Sequence, residues 1–440
     1  MRDCFAAARL LLTPSVHAVP TPDRSRRRSP LCGAAALALL SLFAGGCSSS
    51  EPSHSGPSVA PPGGAAFPFP EERRSSFCQY PSGTRSADVS MAFAKWKADL
   101  VTADGAGGFL RVRRPDSPGA IDTSNSEGMG YGMLIAVYLN DQQLFEAFWQ
   151  YVKLHLNANG LMDWEIAPDG SVSGAGAATD GDEDMAFALV MADRQWGHGN
   201  LTESYLDSAR RLIDAIWVHE VDHEHGDVLL PGDSWSADAP LNPSYFAPAY
   251  YRTFGTVTGK VAEWNRVVAS SYDVIERSLS ATNGNATNGL VPAWCDQNGV
   301  PKVPFDGGPT HFQLDACRTP FRIGQDYCWT GEPRARAYLA KISAFYSGVG
   351  AANIVDGYEL DGTPRPQNAM DDTQAAAFVG PAVVGAMSGT EWNTLRDEGY
   401  ARVASLKLTA GTTYYQDSWM VLSLLMATGN FNDLTAMPGR

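Results

Sequence analysis

Three carboxylates at alternate positions ahead of an apolar run form the first stretch able to do chemistry: Asp180, Asp182 and Asp184 in ATDGDEDMAFALVMADRQW, residues 178–196. On a helix's first turn, free backbone N–H groups and the positive end of the dipole favour negative charge. Behind them Met185, Ala188, Leu189 and Ala192 recur at the spacing that lays one face on a core, with Thr179 able to cap. Asp also caps helices for purely structural reasons. A calcium loop does not fit, because a helical run follows at once and the twelfth position from Asp180 is Met191 rather than a bidentate Glu.

A second acidic helix start is SEGMGYGMLIAVYLN, in which Ser126 can cap and Glu127 sits on the first turn beside Gly128, Gly130 and Gly132. Glycines weaken a helix and are tolerated where something must approach its backbone closely. The set lacks a phosphate-loop Lys, and GAGAAT at 174–179 lacks the third Gly of a dinucleotide loop, so neither is a nucleotide site.

The elements that must position these groups read as helices throughout. Helical periods cover 86–101, 126–140, 142–157, 181–197, 202–217, 246–255, 259–281, 315–330, 333–349, 371–387, 391–408 and 416–428. Twelve such segments suggest six helical hairpins closed in a ring. Acidic or aromatic groups open every even helix: Glu127, Asp180 with Asp182, Tyr245, Asp315, Asp371 with Asp372, and Asp417. If the even helices form an inner layer, their N-termini meet at one end and far-apart carboxylates converge there. The long loops 158–180, 218–245, 284–314 and 350–370 enter even helices, as expected of a site-bearing face.

Composition narrows the partners. With 33 basic and 48 acidic residues, net −15, the chain has no surface for nucleic acid. Residues 1–47 read as a leader: Arg24, Arg26, Arg27 and Arg28, then an apolar run from Leu31 to Gly46 too short to span a membrane, then Cys47. This resembles a bacterial lipoprotein signal in which Cys47 takes the lipid, with Ala44 where such signals usually carry Leu. Residues 48–76 read as a Ser/Pro/Gly tether, and 77–440 as one domain, expected to be exported and monomeric. Cys78, Cys295, Cys317 and Cys328 then suffice for two disulfides of undecided pairing.

Five stretches in order, SEGMGYGM, residues 178–196, NPSYFAPAYYRTF at 242–254, LDACRTPFRIGQDYCW at 314–329 and YYQDSWMVLSLL at 414–425, together resemble glycoside hydrolase family 8 across roughly 86–430. The resemblance implies an all-α (α/α)6 barrel, an inverting mechanism without metal or cofactor, and a β-1,4-linked polysaccharide substrate. Glu127 then takes the general acid's place, Asp315 the base's, and Asp180 that of the Asp gripping the sugar at the cleavage point. Tyr245 matches an active-site Tyr near the water and Arg318 the family's Arg, while Leu314 departs from the usual neighbour of the base. Asp182, Tyr131, Trp164 and Trp294 are further substrate-binding candidates, the two tryptophans as flat platforms for sugar rings.

The chemistry asks for this set in any case. Inverting hydrolysis needs one protonated carboxyl for the leaving oxygen and one ionised carboxylate to activate water on the opposite face. The Asp315 context favours cellulose-type glucan, with xylan or chitosan as alternatives. Two other classes remain: a zinc peptidase through His219, Glu220 and His223, which spell H-E-V-D-H, and a sugar-binding protein without catalysis.

Overall fold

The computed structural model describes residues 64–305, 307–365, 375–406 and 413–437. Its α-helices are α1 (Ser86–Leu100), α2 (Ser126–Tyr138), α3 (Gln142–Leu154), α4 (Thr179–Trp196), α5 (Tyr205–His219), α6 (Pro248–Thr258), α7 (Val261–Ser278), α8 (Thr319–Thr330), α9 (Pro333–Val349), α10 (Ala375–Ala386), α11 (Asn393–Leu406) and α12 (Tyr414–Ala427).

Burial sorts them into two layers. The odd helices are striped: α3 buries Leu144, Phe145, Phe148, Trp149, Tyr151 and Val152 and turns its polar residues outward. Helices α10 and α12 are buried at every residue, and α2 at every residue but Glu127. A helix apolar all round belongs inside. Accordingly α2, α4, α6, α8, α10 and α12 pack each against the next and α12 returns to α2, while the odd helices lie outside against them. This is the expected (α/α)6 barrel. At Gly181 a Cβ would lie 2.5 Å from the Ser126 carbonyl carbon, and at Gly130 one would lie 2.7 Å from Asp184 Cβ, so glycine alone lets α2 and α4 come this close.

The long loops carry short antiparallel pairings: β1 (Val101–Thr102) with β2 (Arg111–Val112), β3 (Ser124–Asn125) with β4 (Glu165–Ile166), β4 with β5 (Val172–Gly174), and β6 (Val221–Asp222) with β7 (Val228–Leu229).

Two expectations are corrected. Residues 64–76, read as tether, pack on the barrel: Ala66 N–H donates to Gln195 O at 2.9 Å, Phe67 is buried, and the Glu71 and Glu72 amides donate to Asn430 Oδ1 at 2.8 and 3.0 Å. Polar groups at helix ends satisfy the backbone of a segment with few apolar residues. Among the described residues one disulfide forms, Cys78–Cys328, rather than two; Cys295 and Cys317 are buried thiols. Cys295 pairs its backbone with Leu241, and the Cys317 thiol donates to Leu314 O at 2.9 Å. The leader with Cys47, residues 48–63, Asp371 and Asp372 lie outside the described residues. Among the described residues no helix is long and apolar enough to cross a membrane.

Candidate active site

Helix starts deliver the key groups to one end of the barrel. Glu127 is the second residue of α2, capped by Asn125, whose side chain accepts the Gly128 N–H at 2.9 Å, rather than by Ser126. Asp180 is the second residue of α4. Asp315 stands just ahead of a 3-10 turn, Ala316–Arg318, that leads into α8.

Arg318 gathers all three. Its Nη1 lies 2.6 Å from both Glu127 Oε2 and Asp180 Oδ2, and its Nη2 lies 3.6 Å from Asp315 Oδ1. The arginine side chain is 0% exposed, against 16% for Glu127 and 32% for Asp315. Ser244 Oγ accepts from Nε and Nη2 at 3.1 and 3.0 Å, Tyr131 OH accepts from Nη1 at 3.2 Å, and the Tyr245 ring stacks 5.0 Å from the guanidinium carbon. One planar guanidinium thus stands between Glu127 and Asp315, which puts their nearest oxygens at most about 8.5 Å apart.

Each carboxylate has its own second support. Tyr414 OH donates to Glu127 Oε1 at 2.7 Å, and Trp294 Nε1–H and Gln313 Nε2–H donate to Asp315 Oδ2 at 3.2 and 3.1 Å. Burial pushes Asp180 up to about 7; Arg318 opposes this and the Glu127 charge adds to it. Burial also lifts Asp315 above the usual Asp range, with Arg318, Gln313 and Trp294 pulling the other way.

Helical geometry explains why the alternate acids part company. Residues four apart share a face, whereas residues two apart lie on opposite sides. Asp180 and Asp184 therefore both face α8, where Arg318 and Arg322, also four apart, receive them; Arg322 holds Asp184 with bonds of 2.5 and 2.9 Å. Asp182 points away, is fully buried, and accepts the Met162 N–H at 3.1 Å. It is a loop anchor and no substrate-binding residue.

Three other candidates are reassigned. Tyr131 is fully buried beneath Arg318 and edge-on to Trp419, and Arg318 itself is sealed by the carboxylates it holds, so neither is placed to touch sugar. Trp294 is 8% exposed, stacked on Trp235 and edge-on to Tyr245; it orients Asp315 instead of offering an open face. Trp164, 41% exposed on the loop into β4, keeps a free surface. Asp417 turns to Lys95 at 2.6 Å and leaves the site to Tyr414.

Sequence reasoning missed Tyr414, Gln313, Ser244 and Trp235. It also missed Asp233, which ties the long loops together: its carboxylate accepts from Asn157 and Asn159 side chains at 2.7 and 2.9 Å and from the Ala177 N–H at 2.8 Å. The zinc pattern falls apart in three dimensions. His219 ends α5, Glu220 is fully buried, and His223 is bonded to Asp227 Oδ1 at 2.6 Å and Trp217 O at 2.8 Å. Among the described residues no three His, Cys, Asp or Glu are grouped to hold a metal.

Comparison with known proteins places the chain in a family. The sequence profile of Glycosyl hydrolases family 8 matches residues 68–429. The chain is 40% identical over 361 residues to Endoglucanase A of Acetivibrio thermocellus, covering 81% of this chain and 72% of that one. It is 26% identical over 376 residues to Rex8A of Paenibacillus barcinonensis, a reducing-end xylose-releasing exo-oligoxylanase, covering 80% and 94%. A solved apo β-1,3-1,4-glucanase from Paenibacillus sp. X4 superposes with a TM-score of 0.74 at 27% identity, over 83% of this chain and 98% of that one.

Proposed function

This chain belongs to glycosyl hydrolases family 8, and from that premise we propose that it is an inverting endo-β-1,4-glucanase with Glu127 as general acid and Asp315 as general base. The carrying observation is that Arg318 gathers carboxylates from three distant segments at one barrel end while standing between Glu127 and Asp315.

A sugar bound across this end meets Glu127 on one side of the scissile bond and Asp315 on the other. Glu127 gives its proton to the leaving oxygen; Asp315, ionised, takes one from a water placed near Tyr245, and the water attacks the anomeric carbon from the opposite face. Asp180 hydrogen-bonds the ring at the cleavage point. Its Oδ1 accepts only from the Gly181 N–H of its own turn, which leaves a lone pair for this, because Arg318 takes Oδ2. Trp164 and the half-buried Trp235 supply flat faces for neighbouring rings. No residue set here calls for a metal or cofactor.

Endoglucanases among the relatives support a β-glucan; the exo-oligoxylanase keeps xylan as the second reading. The test is product analysis on carboxymethylcellulose, xylan and chitosan side by side. Rapid loss of viscosity with a ladder of cello-oligosaccharides supports the proposal, and release of xylose alone from oligoxylans overturns it. We also infer an exported, surface-anchored enzyme: the Cys78–Cys328 bridge suits an oxidising compartment, and Cys47 follows a leader-like run.

A further inference from the structure

Two carboxyl groups that the reaction does not use lie behind the cleft with no cation to receive them. Asp182 and Glu220 are both 0% exposed. Asp182 Oδ1 accepts the Met162 N–H, but Asp182 Oδ2 and both oxygens of Glu220 have no hydrogen-bond partner. The charges acting on them most strongly are all negative: Asp233 in the loop after β7 and Asp180 on Asp182, and Asp182, Asp233 and Glu183 on Glu220. The one nearby hydroxyl, Thr179 Oγ1, already gives its proton to Leu230 O at 2.7 Å, so it cannot donate to Glu220 but can accept from it. His223 and Arg266 stand at the same loop but are held on Asp227.

Bare carboxylates in such a place are prohibitive in free energy, whereas a protonated carboxyl is itself a donor and satisfies both itself and its neighbour. We propose that Asp182 and Glu220 form a proton-holding carboxyl pair that locks together the two loops carrying Trp164 and Trp235. One connection is made by the Asp182 carboxyl and the other by the Glu220 backbone. Asp182 fixes Met162, two residues before Trp164, and Asp163 beside it accepts the Gly176 N–H at 2.8 Å. Glu220 opens the other loop, its carbonyl accepting the Leu230 N–H at 2.8 Å; the chain then passes Pro231, which accepts the Thr179 N–H, to Asp233 and Trp235. Burial raises both groups well above ordinary carboxylates, in keeping with this arrangement.

These are positioning residues, and the sign of their effect is fixed. A carboxyl kept neutral in the fold but ionised when unfolded makes stability fall as pH rises above the unfolded carboxylate range of about 4, until the folded group also ionises. Glu220→Gln keeps the neutral shape and removes the titration. Three readouts are taken on the whole protein. The melting temperature of Glu220→Gln should fall less than wild type's between pH 5 and 8. The infrared C=O band of protonated carboxyls, recorded at pH 7, should be weaker in Glu220→Gln or Asp182→Asn than in wild type, the Asp180 contribution being common to both. On a soluble oligosaccharide, KM of wild type should rise on the alkaline side with kcat little changed, and this rise should be blunted in Glu220→Gln. Only the KM readout rests on the hydrolase reading; the first two need no substrate. Parallel melting profiles and unchanged infrared bands in both variants would overturn the pair. An altered band with KM profiles that coincide would overturn its role in holding the loops.

Discussion

Trp294→Phe tests whether this indole orients the base or carries sugar. The change keeps an aromatic ring beside Trp235 and Tyr245 but removes the N–H that donates to Asp315 Oδ2 at 3.2 Å. A hydrogen bond to a charged group contributes about 1.5–3 kcal/mol. Here Gln313 still donates to the same oxygen at 3.1 Å, and the 32% exposed carboxylate can recruit water, so the loss should be nearer 1 kcal/mol. That weakens the ionised form of Asp315 alone. The base must be ionised to work, so the acid limb of kcat/KM should move up by about 0.5–1 pH unit. The assay is a pH–rate profile on a soluble cello-oligosaccharide from pH 4 to 8. At the plateau, kcat should stay within a fewfold of wild type. An acid limb that does not move, joined to a large rise in KM, would refute the reasoning and return Trp294 to the role of a sugar platform.

Other outcomes follow from the same geometry. Glu127→Gln removes the proton donor, and its amide can accept from Arg318 while donating to Tyr414 OH, so hydrolysis of an unactivated polysaccharide should fall by about 10²-fold or more while the melting temperature barely shifts. Proton NMR in the first minutes of hydrolysis of a β-linked oligosaccharide should show the α-anomer first; an initial β-anomer would mean that Asp315 attacks the sugar directly. Thiol titration of denatured, unreduced protein should find Cys295 and Cys317 free and Cys78 and Cys328 silent. Cys78→Ser opens a link between residues 250 apart and should lower stability by up to about 5 kcal/mol, with kcat unchanged because the bridge joins the N-terminal segment to the far end of α8.

The carboxylates gathered at Arg318 were legible because each stands at a helix start, and the barrel because twelve apolar periods alternate with loops. What stayed hidden depends on closure of the ring. Tyr414 reaches Glu127 across 287 residues of sequence, and its own turn advertises a different residue, Asp417, which in fact serves Lys95. Acid content alone could not separate Asp180 from Asp182; the helical period could, because only positions four apart share the inward face. The second disulfide failed for a related reason. An even number of cysteines says nothing about distance, and Cys295 sits in a loop bridge to Leu241 while Cys317 lies under Leu314 and Tyr415. The short N-terminal segment looked like tether because much of its binding to the barrel is made by backbone groups, which carry no residue signature.

The two arginine layers at the start of α8 show what separates a closed ion pair from an open one. Arg322 meets Asp184 in two parallel bonds, both side chains almost wholly buried, and neither oxygen of Asp184 is left over. One turn earlier, Arg318 offers a single nitrogen to two carboxylates and stands 3.6 Å from a third. Burial lifts Asp180 and Asp315 above the ordinary carboxylate range, and the single charge of Arg318 opposes this only in part. Asp180 Oδ1 touches nothing beyond the Gly181 N–H of its own turn, and Glu127 and Asp315 each keep one open side. Lone pairs, a transferable proton and an opening to solvent are what a glycosidic oxygen and a water molecule need. The same Asp–Arg pairing, repeated one helical turn deeper with both Asp184 oxygens bonded, fixes α4 against α8 and so holds the incomplete layer in place.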